Sequence, residues 1–183
     1  MALINRSQVR AFDKRVDEAF DRIRGHKAAD RLFYGASAVG DHSLLWFILA
    51  AAHGLRSERH FRGAVRAAAG LAAESAIVNL GIKSLFRRSR PVYEGPRPHH
   101  LRRPMTSSFP SGHATSAFVA AALLSDNDGL WPLYYSAAVV VAWSRVYVRI
   151  HHASDVVAGM AVGAALGQVA RRVMPLPGPE GES

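Results

Sequence analysis

Apolar residues in this chain are spaced for helices. Over residues 5–27, Val9, Phe12, Val16, Phe20 and Ile23 recur three or four positions apart among charged side chains. That is the stripe of an amphipathic helix too polar to span a bilayer, which either packs on the rest of the protein or lies on a membrane surface. Residues 32–55 are mostly apolar yet hold Asp41 and His42, and residues 61–86 are Ala-rich yet carry Arg66, Glu74 and Asn79. Residues 112–124, 130–148 and 153–170 are apolar and rich in small side chains. None of these segments alternates as a half-buried strand does, although "AAVVV" and "SRVYVRI" are locally ambiguous.

A spanning helix needs roughly 20 apolar residues, and several of these runs are shorter. Mean hydropathy is only +0.02, so composition by itself leaves a soluble helical domain open. Against that, five Ala/Gly-rich segments in 183 residues leave little polar surface, and small residues are what let helices pack closely in lipid. The expected fold is therefore all-α: an integral membrane bundle of about five spanning helices plus the N-terminal amphipathic helix. Residues 1–30 are expected to form that first helix and residues 31–172 the membrane-embedded domain. Residues 173–183, rich in Pro, Gly and charge, are expected to be a disordered tail. The amino end lacks an apolar run ahead of a cleavage site, so no cleavable signal peptide is expected.

Charge narrows the partners. Lys and Arg number 23 against 14 Asp and Glu, a formal net charge of +9. Such an excess suits anionic partners: nucleic acid, a membrane surface or phosphorylated substrates. Cys is absent, which excludes a disulfide framework and a thiolate metal site.

Three groups of residues point to phosphate. In "KSLFRRSRP", Lys83 and Arg90 are seven apart, about two helical turns, so a continuing helix puts both cations on one face. Pro91 stops such a helix, and Arg offers a planar fork to phosphate oxygens where Lys offers a point charge. In "SSFPSGHATSAF", Ser111 and Gly112 stand where free N–H groups at a helix start hold an anion. His113 is placed at that end to touch the anion or its leaving group. In "SRVYVRIHHASD", His151 and Asp155 are four apart, and a carboxylate one turn away can hold one imidazole nitrogen and leave the other free to attack. Arg145 adds another cation. Taken singly, each group has an ordinary counterpart: a membrane-proximal basic cluster, a capping turn, an interfacial stretch ending in an N-cap.

Taken together and in this order, Lys83, Arg90 and Pro91, then Pro110, Ser111, Gly112 and His113, then Ser144, Arg145, His151 and Asp155, the pattern resembles the type 2 phosphatidic acid phosphatase family. That family also holds bacterial nonspecific acid phosphatases and vanadium haloperoxidases. The resemblance covers roughly residues 32–170 and looks most like actinobacterial membrane members, without the lipid-kinase domain that some of them carry. It implies a membrane phosphatase acting on a lipid phosphate or prenyl diphosphate, with no metal and no other cofactor. By the resemblance, His151 is the nucleophile that becomes a phosphohistidine, Asp155 orients it, and His113 protonates the leaving group and then activates water. Lys83, Arg90, Arg145, Ser111 and the Gly112 amide would cradle the phosphoryl oxygens. The implied partners are a membrane lipid substrate and the bilayer, with no nucleic acid; the sequence assigns no oligomeric state. Of the two adjacent histidines only His151 fits the spacing to both Arg145 and Asp155, which leaves His152 as a surface or substrate-edge residue, and His99 and His100 read as solvated loop.

The three motifs fall on one face of an up-and-down bundle. The opposite face carries "GLRSERHFR", "SDNDG" and "RRVMP", short and largely Arg-rich, so the positive-inside rule makes that face cytoplasmic and points the motifs outward. The expected location is the cell membrane, multi-pass, with the site on the extracytoplasmic face. Two other readings use the same residues or scaffold: a soluble acid phosphatase or vanadate-dependent haloperoxidase, and a non-catalytic lipid-binding or transport protein.

Overall fold

The computed structural model describes residues 5–93, 95, 98, 101, 106–126 and 128–177. Every regular element among them is helical. Helix α1 spans Arg6–Asp21, α2 Lys27–Val39, α3 Leu44–Gly54, α4 Glu58–Leu85, α5 Gly112–Leu124, α6 Trp131–Tyr147 and α7 Ala153–Val173. Local signals explain the starts. Asn5 and Gln8 close a capping box on α1, Ser57 accepts from the His60 amide at the start of α4, and Pro132 sits in the first turn of α6 where its missing N–H costs nothing.

Helix α5 is the axis of the bundle. Nine of its 13 residues are buried, as expected of a helix apolar all round. Trp46 and Ala50 of α3, Ala67 and Leu71 of α4, and Tyr134, Ala138 and Val141 of α6 close around its Ala117, Val119, Ala120, Leu123 and Leu124. On the remaining side α7 comes very close. A side-chain carbon at Gly159 would stand 2.6 Å from the Ser111 carbonyl oxygen, one at Gly167 2.5 Å from Ala122 Cβ, and one at Gly163 would run into the Thr115 carbonyl. Three glycines one turn apart thus bring the α7 backbone directly onto α5, two of them against carbonyls and the third against the Ala122 side chain.

The outer surface is apolar where a bilayer would lie. Ile48 of α3, Leu80 of α4, Leu133 of α6 and Val169 of α7 are all more than half exposed, more apolar surface than a water-facing protein leaves open. Helices α4 and α7 are long and apolar enough to cross a membrane, and the bent pair α2–α3 makes up to three such spans. Helix α5, at 13 residues, is only about 20 Å long at the usual rise.

Two expectations change. The apolar run 32–55 is not one helix: α2 and α3 meet at 69°. His42 and Ser43 adopt left-handed backbone there (φ 54° and 58°), a costly conformation for non-glycine residues that marks a position the fold imposes. The stripe of α1 is only partly used. Val16 and Phe20 pack on the bundle, whereas Phe12 and Ile23 stay about 40% exposed (41% and 40%).

The seam predicts a specific sensitivity. Gly163→Ala should destabilise the protein by about 1–3 kcal/mol because the Thr115 carbonyl cannot retreat without parting α5 from α7. Gly35→Ala, where nothing lies within 4 Å, should be neutral or slightly stabilising. Thermal unfolding of both variants in detergent reads the difference, and equal midpoints would contradict the seam.

Candidate active site

The three motif regions meet where α4 ends and α5 and α7 begin. Lys83 opens the final turn of α4, after a π-helical stretch at Ile77–Ile82. Phe86 is already extended (φ −120°, ψ 133°), so Lys83 and Arg90 do not share a helix face as the spacing suggested. The helix runs out before Arg90, which arrives on an extended segment. Its guanidinium is held by the carbonyls of Ile150 (3.1 Å), Thr106 (3.2 Å) and Ser107 (3.3 Å).

Ser111 is the N-cap of α5, fully buried. Its amide donates to the Asp155 carbonyl at 3.0 Å, which ties the starts of α5 and α7 together. The expected pair of outward amides therefore narrows to that of Gly112. Ser111 Oγ is buried with no hydrogen-bond partner among the described residues, as a group reserved for a ligand would be. A side-chain carbon at Gly112 would lie 3.3 Å from Lys83 Nζ, so the glycine leaves room for the ammonium beside the helix start. Arg145, 1% exposed near the end of α6, donates to Ser37 Oγ of α2.

His151 lies in the turn between α6 and α7, 3% exposed. Its Nε2 is 3.0 Å from Arg90 Nη1. Its Nδ1 is 3.7 Å from Asp155 Oδ2 and 3.4 Å from Ser108 Oγ. Because arginine only donates, Nε2 carries the lone pair and Nδ1 the proton. Burial pushes this imidazole down to about 3, with Arg145 and Arg90 acting the same way against the hydrogen bond and charge of Asp155. The ring is neutral at ordinary pH, the state a nitrogen nucleophile needs.

Asp155 is fully buried and saturated. Oδ1 accepts from Arg88 Nη1 at 2.6 Å, and Oδ2 accepts from Ser108 Oγ at 2.5 Å and from the His152 amide at 2.9 Å. His152, half-buried as the N-cap of α7, serves the site through its backbone. Arg88 also donates to Asp13 Oδ2 at 2.7 Å, and Asp13 accepts from the Ser154 amide at 2.8 Å. Helix α1 is therefore fastened to the start of α7 by a charged network. His113, on the first turn of α5, has Nε2 3.0 Å from Asp41 Oδ1. The break between α2 and α3 delivers that aspartate, and a side-chain carbon at Gly40 would press on the imidazole at 2.8 Å from Cδ2.

The structure thus gathers Lys83, Arg90, Ser111, Gly112, His113, Arg145, His151 and Asp155 at one end of the bundle. Sequence reasoning missed Ser108, Arg88, Asp13 and Asp41. Ser108 and Arg88 stood inside quoted motifs without a role; Asp41 stood out as a charge inside an apolar run but was given no role, and Asp13 carries no local signal. His99 and His100 lie outside the described residues. At the opposite end, His53 Nδ1 and His60 Nε2 stand 3.2 and 3.7 Å from Asp128 Oδ2, on a carboxylate that also holds Arg56.

Comparison with known proteins gives a consistent picture. The PAP2 superfamily profile matches residues 63–177. The decaprenylphosphoryl-5-phosphoribose phosphatase of Mycobacterium tuberculosis is 38% identical over 135 residues, covering 74% of this chain and 75% of that protein. The undecaprenyl-diphosphatase of Sulfolobus acidocaldarius is 41% identical over 63 residues, 33% of this chain and 31% of that one. In fold, the chain resembles the transmembrane PAP2 type phosphatidylglycerolphosphate phosphatase from Bacillus subtilis, with a TM-score of 0.70 and 22% identity over 93% of this chain and 87% of the other.

Ser108 generates a prediction. Ser108→Ala removes the hydroxyl between His151 Nδ1 and Asp155 while Arg88 and the His152 amide keep the carboxylate in place. Phosphatase kcat should fall about tenfold to a hundredfold with KM little changed. Steady-state kinetics on the purified variant reads it, and an unchanged kcat would remove Ser108 from the site.

Proposed function

The chain belongs to the PAP2 superfamily, and from that premise we propose that it is a metal-independent membrane phosphatase that hydrolyses a lipid phosphate or prenyl diphosphate through a phosphohistidine. The observation that carries this reading is His151. A neutral imidazole, buried, with its proton held on the Asp155 side, turns its lone pair toward Arg90.

In the first step His151 Nε2 attacks phosphorus and the bond to the leaving oxygen breaks. His113, paired with Asp41 on the cavity wall, supplies the proton that oxygen takes up. The Nδ1 proton stays against the Ser108 hydroxyl and Asp155, whose carboxylate balances the positive charge on the ring. In the second step His113 takes a proton from water, the water oxygen attacks phosphorus, and the phosphorus–nitrogen bond breaks to return neutral His151. Lys83, Arg90, Arg145, the Ser111 hydroxyl and the Gly112 amide neutralise the equatorial oxygens as charge spreads over them. Three cations and a helix start do here what a divalent ion does in other phosphatases. The named relatives act on polyprenyl-linked phosphates, and the apolar outer surface supports the same class of lipid substrate for this chain.

The far end of the bundle collects Arg56, Arg66 and Arg171 around Asp126 and Asp128. Short Arg-rich connections favour the cytoplasmic side, which supports an extracytoplasmic site.

Turnover should persist in excess EDTA. Under those conditions His151→Ala should lose at least about a thousandfold in kcat with the fold retained, since no neighbouring group can attack in line, while His152→Ala keeps substantial activity. The reverse pattern between the two histidines, or loss of wild-type turnover in EDTA with recovery on adding magnesium, would refute the mechanism.

A further inference from the structure

The end of the bundle away from the phosphoryl site holds a second set of donors that the reaction does not use. His53 lies in the last turn of α3, His60 in the first turn of α4, and Asp128 in the connection between α5 and α6. The 13 residues of α5 separate this end from Ser111 and His113, about 20 Å at the usual rise.

Their donor atoms converge. His53 Nδ1 stands 3.2 Å and His60 Nε2 3.7 Å from Asp128 Oδ2, and all three atoms lie within 4.8 Å of one another. The corners of a tetrahedral zinc site, with bonds of about 2 Å, are about 3.3 Å apart. Each donor is also held from behind. His60 Nδ1 lies 2.6 Å from Ser57 Oγ, a hydrogen bond that can keep the ring proton on Nδ1 and leave Nε2 with its lone pair. A side-chain carbon at Gly63 would come 3.3 Å from His53 Nε2, so α4 packs on the far edge of that ring and keeps Nδ1 turned to Asp128. Asp128 Oδ1 accepts from the Leu130 amide at 2.8 Å, which leaves Oδ2 for the cluster. Tyr134 Oη, 2.9 Å from His53 Nδ1, offers a fourth oxygen.

Arg56 is the competing cation, because its guanidinium also reaches Asp128 Oδ2. The two side chains differ sharply in exposure, 42% for Arg56 against 2% for Asp128. A carboxylate so buried needs a cation, but an arginine so exposed can swing into water and give up its place. His60 is partly exposed and gives an ion its way in from solvent.

We propose that His53, His60 and Asp128 form a zinc site that ties α3, α4 and the α5–α6 connection together, with zinc and Arg56 alternating as the cation on Asp128. Two imidazoles and one carboxylate suit zinc, whereas magnesium and calcium favour all-oxygen sites. The ion is structural. It takes no part in the phosphoryl transfer, which has its own cations at the other end of α5.

The test uses the intact chain, purified in detergent without a histidine tag and stripped with EDTA, then titrated with zinc by calorimetry. Wild type should bind one zinc ion per chain with a Kd of about 1 μM or below. His60→Ala should lose at least about a hundredfold in affinity, and Ser57→Ala about tenfold. The unfolding midpoint of His60→Ala in EDTA should stay close to that of wild type. Saturating zinc should raise the midpoint of wild type and not that of His60→Ala. Arg56→Ala should bind zinc about threefold to tenfold more tightly, since the repelling and competing guanidinium is gone. A residue that served only as a structural ion pair would not raise affinity when removed. Absence of zinc binding by wild type, undiminished binding by His60→Ala, or unchanged or weaker binding by Arg56→Ala would each overturn the proposal.

Discussion

Gly159 and Gly163 let the α7 backbone lie against carbonyls of α5, Gly167 seats it on Ala122, and the site exists because of that approach. With the axes so close, the first turns of the two helices stand side by side, joined by the Ser111 amide and the Asp155 carbonyl. Their partial positive ends then converge on one region, which favours an anion there before any side chain is counted. One start carries His113, the other His151 and Asp155. Side chains at the three glycines would part the helices and pull the acid and the nucleophile away from each other.

A region that collects this much positive charge must also hold its cations still. Each does so through a different structural element. The π-helical turn of α4 aims Lys83, a fan of carbonyls seats Arg90, and α2 reaches Arg145 through Ser37. Arg88 faces the other way, spanning Asp155 and Asp13. That bridge explains why a charged N-terminal helix docks on the bundle with so little of its apolar stripe covered: its anchor is a buried aspartate. The same bridge fixes the carboxylate that orients His151, so the first helix and the nucleophile share one network.

The sequence made the chemical core readable because phosphate chemistry demands particular residue types at close spacing. Lys83, Arg90, Ser111, Gly112, His113, Arg145, His151 and Asp155 could all be picked from three short motifs, and an all-helical bundle followed from periodicity. What stayed hidden is what only the folded backbone creates. The break at Gly40–Ser43 lies inside an apolar run, with no proline to announce it, yet it supplies Asp41. A π-helical turn has no signature in a 3.6-residue pattern, so the approach of Lys83 to the start of α5 stayed hidden. Ser108, Arg88 and Asp13 come from separate parts of the chain, and only the packing of α1 on α7 reveals their joint role.

The central claim is that His151 Nε2 forms a bond to phosphorus. Its most direct test is rapid quenching of the enzyme with substrate labelled at the scissile phosphoryl group, under alkaline conditions that preserve phosphohistidine, followed by peptide mapping. The account predicts acid-labile label on His151, formed no more slowly than turnover and absent in His151→Ala. Label on another residue, or full burst-phase product with no covalent label, would contradict it.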